Sequence, residues 1–263
     1  MKPQNIFFSV LTAVLFFASI SFAGVVYEEV SEIKGMDFKI PGMEQTGKDI
    51  KKIYVTSDKK KEASKDNVTI IRLDKEVIWT YNAQAGFYTE MTFDNMRQLA
   101  TAFTNPQMMA QMEEMAGKME METKSTGKKM NINGFDCEQV LITTKSGGKS
   151  MVTEQWITLD VPSEFVEFNR NFAARMKKGV KPPKNLKDMG KKMGMDSRTK
   201  KLVSEGLVIK TITDMGGMKS IIEVKNVRKT SIPSKDFDLP GGLKKMPMGG
   251  GGPYPPQGPY PPR

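Results

Sequence analysis

The chain of 263 residues has no histidine and one cysteine, Cys137. The first absence removes Ser-His-Asp and Cys-His nucleophile arrangements and the commonest zinc and copper(II) ligand. A lone cysteine has no internal disulfide partner, so Cys137 is either buried as a small apolar residue or free to pair between chains. A reactive thiol needs nearby cations or a helix N-terminus, whereas Cys137 is flanked by Asp136 and Glu138. The string Thr143 to Ser150, TTKSGGKS, brushes the phosphate-loop pattern GxxxxGK[ST]. Thr143 stands where the first glycine is required, and the context is strand-turn-strand rather than strand-loop-helix. The adjacent carboxylates Glu28-Glu29 and Glu113-Glu114 diverge on a strand or a helix, so neither makes an acid/base pair. These residues predict no catalytic chemistry, no cofactor and no assigned metal site.

Methionine is the compositional exception, with 21 residues. Met108, Met112, Met115 and Met119 follow one another at helical spacing, behind Asn105 as N-cap and Pro106 at the first helical position. Three readings stay open for this stripe. Flexible thioethers fill irregular core space, or they line a plastic apolar ligand groove, or they bind copper(I), which soft ligands select.

The elements that would position these residues begin after a segment of secretory form. Lys2 is followed by an apolar run over residues 6–20 and by Ser21-Phe22-Ala23, which places a signal-peptide cut after Ala23. Without Lys2 the formal charge falls from +10 to +9. That surplus suits anionic lipid headgroups or a polyanionic cell surface, and export argues against nucleic acid. The alternative is a lysine-rich solvated surface. The expected location is the periplasm or cell envelope of a bacterium, with the oligomeric state left open.

Residues 24–33, 49–57, 67–74, 76–81 and 86–92 read as strands, and 58–65 as a solvated turn. Strands 67–74 and 76–81 are apolar on both faces. One face is therefore expected on helices or a second layer, with the other lining a concave apolar surface or buried in turn. A helix capped by Thr92 or Asp94 runs to about residue 104, and the methionine helix follows. Residues 137–144 and 150–159 form a hairpin around Gly147-Gly148. A helix from Ser163 carries Phe165, Phe168, Phe172 and Met176 on one stripe. Residues 179–201 read as a lysine-rich insertion with a short helix near 185–193. Residues 206–214 and 219–227 form a last hairpin, and residues 249–263 repeat Gly-Pro-Tyr-Pro-Pro as polyproline II or disorder.

The run NGFDCEQVLI, then EQWITLDVP, then the ending DFDLPGG, resembles the bacterial secreted domains of the DUF4412 type. More loosely, the order sheet, two helices, sheet is similar to lipoprotein carriers (LolA/LolB-like). That resemblance implies an α+β fold: a curved antiparallel sheet, an incomplete β-barrel, with helices covering its concave side. The domain would span 24–243, between a signal peptide at 1–23 and a disordered Gly/Pro/Tyr tail at 244–263. No carrier residue matches closely enough to be transferred.

The expected function is non-enzymatic binding of a lipid or lipoprotein acyl chain in a groove between sheet and helices. Periodicity nominates Ile71, Trp79, Met108, Met112, Met115, Trp156, Phe168 and Phe172 as its lining. The alternatives are copper(I) handling by the methionines and an interaction protein acting through the Pro-Tyr tail.

Overall fold

The computed structural model describes residues 21–35, 48–82, 84–102, 107, 114, 119–178 and 195–247. Their strands form one curled, unclosed sheet in the order β12-β6-β5-β4-β3-β2-β1-β11-β10-β9-β8-β7. The first half holds β1 (Ser21–Lys34), β2 (Asp49–Val55), β3 (Lys59–Ala63), β4 (Asn67–Arg72), β5 (Val77–Asn82) and β6 (Phe87–Thr92). The second holds β7 (Met119–Ile132), β8 (Phe135–Ser146), β9 (Lys149–Thr158), β10 (Leu207–Asp214) and β11 (Lys219–Pro233), and β12 (Lys244–Met246) closes the chain back onto β6. All pairings are antiparallel except β12 with β6. The helices are α1 (Phe93–Ala102), α2 (Ser163–Met176) and α3 (Ser197–Glu205).

Period-two alternation sends the two faces of the sheet to different cores. Val25 and Tyr27 of β1 and Ile53 and Val55 of β2 meet Phe93 of α1 and Phe168 of α2 on the concave side. Phe93 touches Phe172 edge-on, with ring centres 5.5 Å apart. On the outer side Val26, Ile70, Tyr81 and Ile232 pack under Phe237 in the 3-10 turn Ser234–Phe237, with Leu239 and Leu243 beside them. Helices cover one face of β4 and β5 and the C-terminal segment covers the other, which accounts for strands that are apolar on both sides. Arg72, 5 % exposed, clasps that segment. Its guanidinium grips Asp74 at 2.8 and 2.7 Å and donates to the Phe237 carbonyl and to Asp238.

Several local expectations hold. Thr92 caps α1, its hydroxyl accepting from the Asn95 amide at 3.1 Å. The hairpin β8–β9 turns at Gly147 and Gly148, both at positive φ as its tight turn requires. Others are corrected. Residues 58–65 are not a turn throughout, because β3 hydrogen-bonds to β2 on one side and β4 on the other. Ladder pairing overrides the composition, and two of the β3 lysines are held by acids, Lys59 by Asp58 at 2.9 Å and Lys60 by Glu62 at 2.7 Å. The first strand starts at Ser21 rather than Gly24. Met119 is not on a helix but is the first residue of β7. Met108, Met112 and Met115 lie outside the described residues, as do the expected helix at 185–193 and residues 248–263 of the expected tail. The first residues of that tail, Lys244–Met246, are not disordered but pair with β6 as β12. Helix α3 was not expected, although the sequence carries its cap: the Asp196 carboxylate accepts from the Thr199 amide at 2.7 Å.

Candidate functional site

The bulge in β7 between Ser125 and Lys129 opens that edge strand where α3 lies against it. The Ser125 amide donates to the Thr199 hydroxyl at 2.8 Å, and that hydroxyl donates on to Asp196. Leu202 of α3, 1 % exposed, packs on Val140 of β8 and Ile157 of β9. At the helix end the Gly206 amide bonds the Leu202 carbonyl at 2.9 Å. A Cβ on Gly206 would lie 2.3 Å from Ile157 and 2.5 Å from that carbonyl, so only glycine lets the helix pass this close to β9.

Between α3 and the β7–β9 strands lies a cleft of about 480 Å³. Its floor and walls are apolar: Met130, Cys137, Ile157, Leu159 and Leu202. Its rim carries both signs, with Lys129 and Arg198 set against Asp136, Glu138 and Asp160. Arg198 donates twice to one oxygen of Glu138, at 3.0 and 2.5 Å, while Ser125 donates to the other at 2.6 Å. This guanidinium, followed by the serine hydroxyl, holds the Glu138 carboxyl below the usual glutamate range against the opposing effect of burial. Asp136 is held by the Asn131 amide at 2.9 Å.

Cys137 sits in the cleft wall. Burial, with help from the Asp136 carboxylate, pushes its thiol up to about 11. The thiol is therefore protonated near neutrality and a poor nucleophile. Native protein at pH 8 is expected to resist iodoacetamide, and denatured protein to label fully at one site. Mass spectrometry of the alkylated chain checks this, and rapid native labelling would contradict the assigned environment.

Of the residues nominated from the sequence, Ile71, Trp156, Phe168 and Phe172 come together in the concave core. Trp156 and Phe168 are each only 5 % exposed, packed against neighbours between sheet and helices. Trp79 does not join them. Its strand sends Ile78 to the helix side and Trp79 to the outer face, where the indole donates to Glu90 at 2.9 Å. Sequence reasoning missed the cleft beside α3, because its walls come from three separate segments, residues 129–138, 157–160 and 198–202. The available signal was local: Asp196-Ser-Arg-Thr199 as a capped helix start, and the charged run around Cys137. Among the described residues no group of three or more His, Cys, Asp or Glu is placed to hold a metal ion.

Residues 46–243 match the family model described as a domain of unknown function, DUF4412. The chain belongs to this family. An uncharacterized protein of Aquifex aeolicus (strain VF5) is 24 % identical over 251 residues, covering 92 % of this chain and 90 % of that one. A solved structure titled as PNGF-II in a C2 space group aligns over 84 % of this chain at 14 % identity, with a TM-score of 0.36. This chain spans 31 % of the length of that protein. The likeness to lipoprotein carriers remains an expectation of the sequence.

Proposed function

We propose that this DUF4412 protein is a non-enzymatic envelope protein that holds an amphipathic ligand, such as a lipid or lipoprotein acyl chain, beside α3. The observation that supports the reading is the cleft itself, with an apolar floor under a rim of both charges. Its volume falls in the range of small-molecule sites, roughly 300–1,000 Å³. An acyl chain that buries about 200 Å² of apolar surface there gains about 5 kcal/mol before the cost of ordering. Lys129 and Arg198 suit a phosphate or carboxylate, and Asp136 and Asp160 suit an ammonium. A single-chain amphiphile with a zwitterionic head matches both. A protonated Cys137 and a Glu138 engaged by Arg198 fit binding better than turnover.

This reading moves the ligand from the α1–α2 side, where the aromatic residues are packed together, to the α3 side. The test is native mass spectrometry of protein purified from its own envelope. A retained mass in the lipid range is expected. Met130 lines the mouth and is 51 % exposed, so Met130→Trp fills the cleft without disturbing the core. It should lower ligand occupancy at least tenfold with an unchanged melting temperature. An empty wild-type protein, or equal loading of the variant, would overturn the proposal.

A further inference from the structure

Of the lysines of β2 and β3, Lys59 is buried and paired with Asp58 at 2.9 Å, and the other four divide by face. Lys51 and Lys60 share the side of Ile53 and Val55 and find acids there. Lys51 lies 3.9 Å from Glu29 and 3.6 Å from Glu62, and Lys60 lies 2.7 Å from Glu62. Lys52 and Lys61 point to the outer side and form no ion pair with a described residue. Their ammonium groups instead take up positions 5.6 and 5.7 Å from the centre of the same ring, that of Tyr54.

The strand register extends this arrangement across the sheet. Arg228 pairs with Val26, Val26 with Tyr54, Tyr54 with Lys61, Lys61 with Ile70 and Ile70 with Trp79, so all share one face. Lys75 lies 5.2 Å from the centre of the Trp79 ring. The carboxylates in these rows are already engaged. Glu28 accepts from Asn226 at 2.7 Å, and Glu90 accepts from Trp79 and from Lys245. Phe237, Leu239 and Leu243 pack over Val26, Ile70 and Trp79, and beside them the face carries surplus positive charge around the half-buried Tyr54 ring.

We propose that the basic strip of this outer face left beside the C-terminal segment, Lys52, Tyr54 and Lys61 of β2 and β3 with the exposed Arg228 of β11, docks on an anionic phospholipid bilayer. Two ammonium groups beside one ring repel each other, and a lipid phosphate between Lys52 and Lys61 relieves that repulsion. A phenol ring such as that of Tyr54, with an apolar body and a polar tip, settles at headgroup depth. Basic residues near such a surface each add about 1 kcal/mol of attraction. The cations that flank the Tyr54 ring compete for its faces with a stacked base or sugar, which favours phosphate recognition over a nucleic-acid platform. The inference stands apart from the cleft, and its test reads vesicle binding rather than ligand loading.

The test is co-sedimentation with vesicles of phosphatidylcholine alone and of phosphatidylcholine mixed with phosphatidylglycerol. The wild type should pellet with the mixed vesicles and stay free with the neutral ones, and added salt should release it. The double variant Lys52→Glu, Lys61→Glu should lose mixed-vesicle binding at least tenfold. Lys128→Glu with Lys149→Glu makes the same charge change at exposed sites elsewhere and should lose far less. Equal loss in the two double variants, or equal binding to neutral vesicles, would overturn the assignment. So would wild type that ignores mixed vesicles yet binds duplex DNA or an anionic polysaccharide through the same lysines.

Discussion

Phe93→Ala is expected to destabilise the protein by about 3–5 kcal/mol. Phe93 is fully buried at the first turn of α1, where its ring fills the space between the sheet and the edge of Phe172. Its amide is also bonded to the Glu76 carbonyl at 2.9 Å, so the backbone is fixed and cannot follow a truncated side chain into the void. The cavity term therefore adds to the lost transfer free energy. Urea unfolding followed by tryptophan fluorescence should show a lower midpoint at an unchanged slope, because the exposed surface stays similar. Phe93→Leu, which retains most of the volume, should cost about 1 kcal/mol. A cost below about 1 kcal/mol for the alanine variant would mean that α1 is not seated as described.

Gly206→Ala is expected to act on both stability and the cleft. The added methyl meets Ile157 at 2.3 Å and the carbonyls of Leu202 and Thr158 at 2.5 and 3.0 Å. Two of these three neighbours are backbone atoms, so the strain is met by moving α3 away from β9. The overpacking cost should be about 2–3 kcal/mol. The displaced helix also carries Leu202 and Arg198, so ligand occupancy should fall more than ten-fold while the α1–α2 side stays intact. Gly241→Ala is the matched control, since its Cβ enters open space at an ordinary φ. It should change stability by less than about 0.5 kcal/mol. If both glycine variants behave alike, the close approach of α3 to β9 does not exist in solution.

These two sites also separate what local sequence carries from what it does not. The seat of α1 was legible: Thr92 caps it, the aromatic stripe of α2 faces it, and both-face apolar strands require cover on each side. The cleft was not. Cys137, Ile157 and Leu202 read individually as buried apolar residues, and nothing in their local patterns says that Lys129 and Arg198 converge above them. The lysine run at 59–61 shows the same limit. Composition alone reads it as solvated; that Lys59 is buried against Asp58, that Lys60 meets Glu62 on the concave side and that Lys61 meets the Tyr54 ring on the outer side appears only once β2 and β4 flank it.

Trp79 and Trp156 show the reason most directly. Each is a large aromatic residue in a strand, and periodicity treats them alike. Alternation along a strand is a local property, so the sequence by itself determined that each must be largely covered. The register between strands, the curl of the sheet and the path of the C-terminal segment are non-local. They send Trp156 under α2 and Trp79 beneath Leu239 and Leu243 on the outer side. Thus the sequence determined most of the strands, the helices α1 and α2, the lack of histidine chemistry and the quiet cysteine, but not β3 or α3. Only the tertiary structure decided which faces meet, because pairing distant segments depends on the closure of the whole sheet and not on any one segment's pattern.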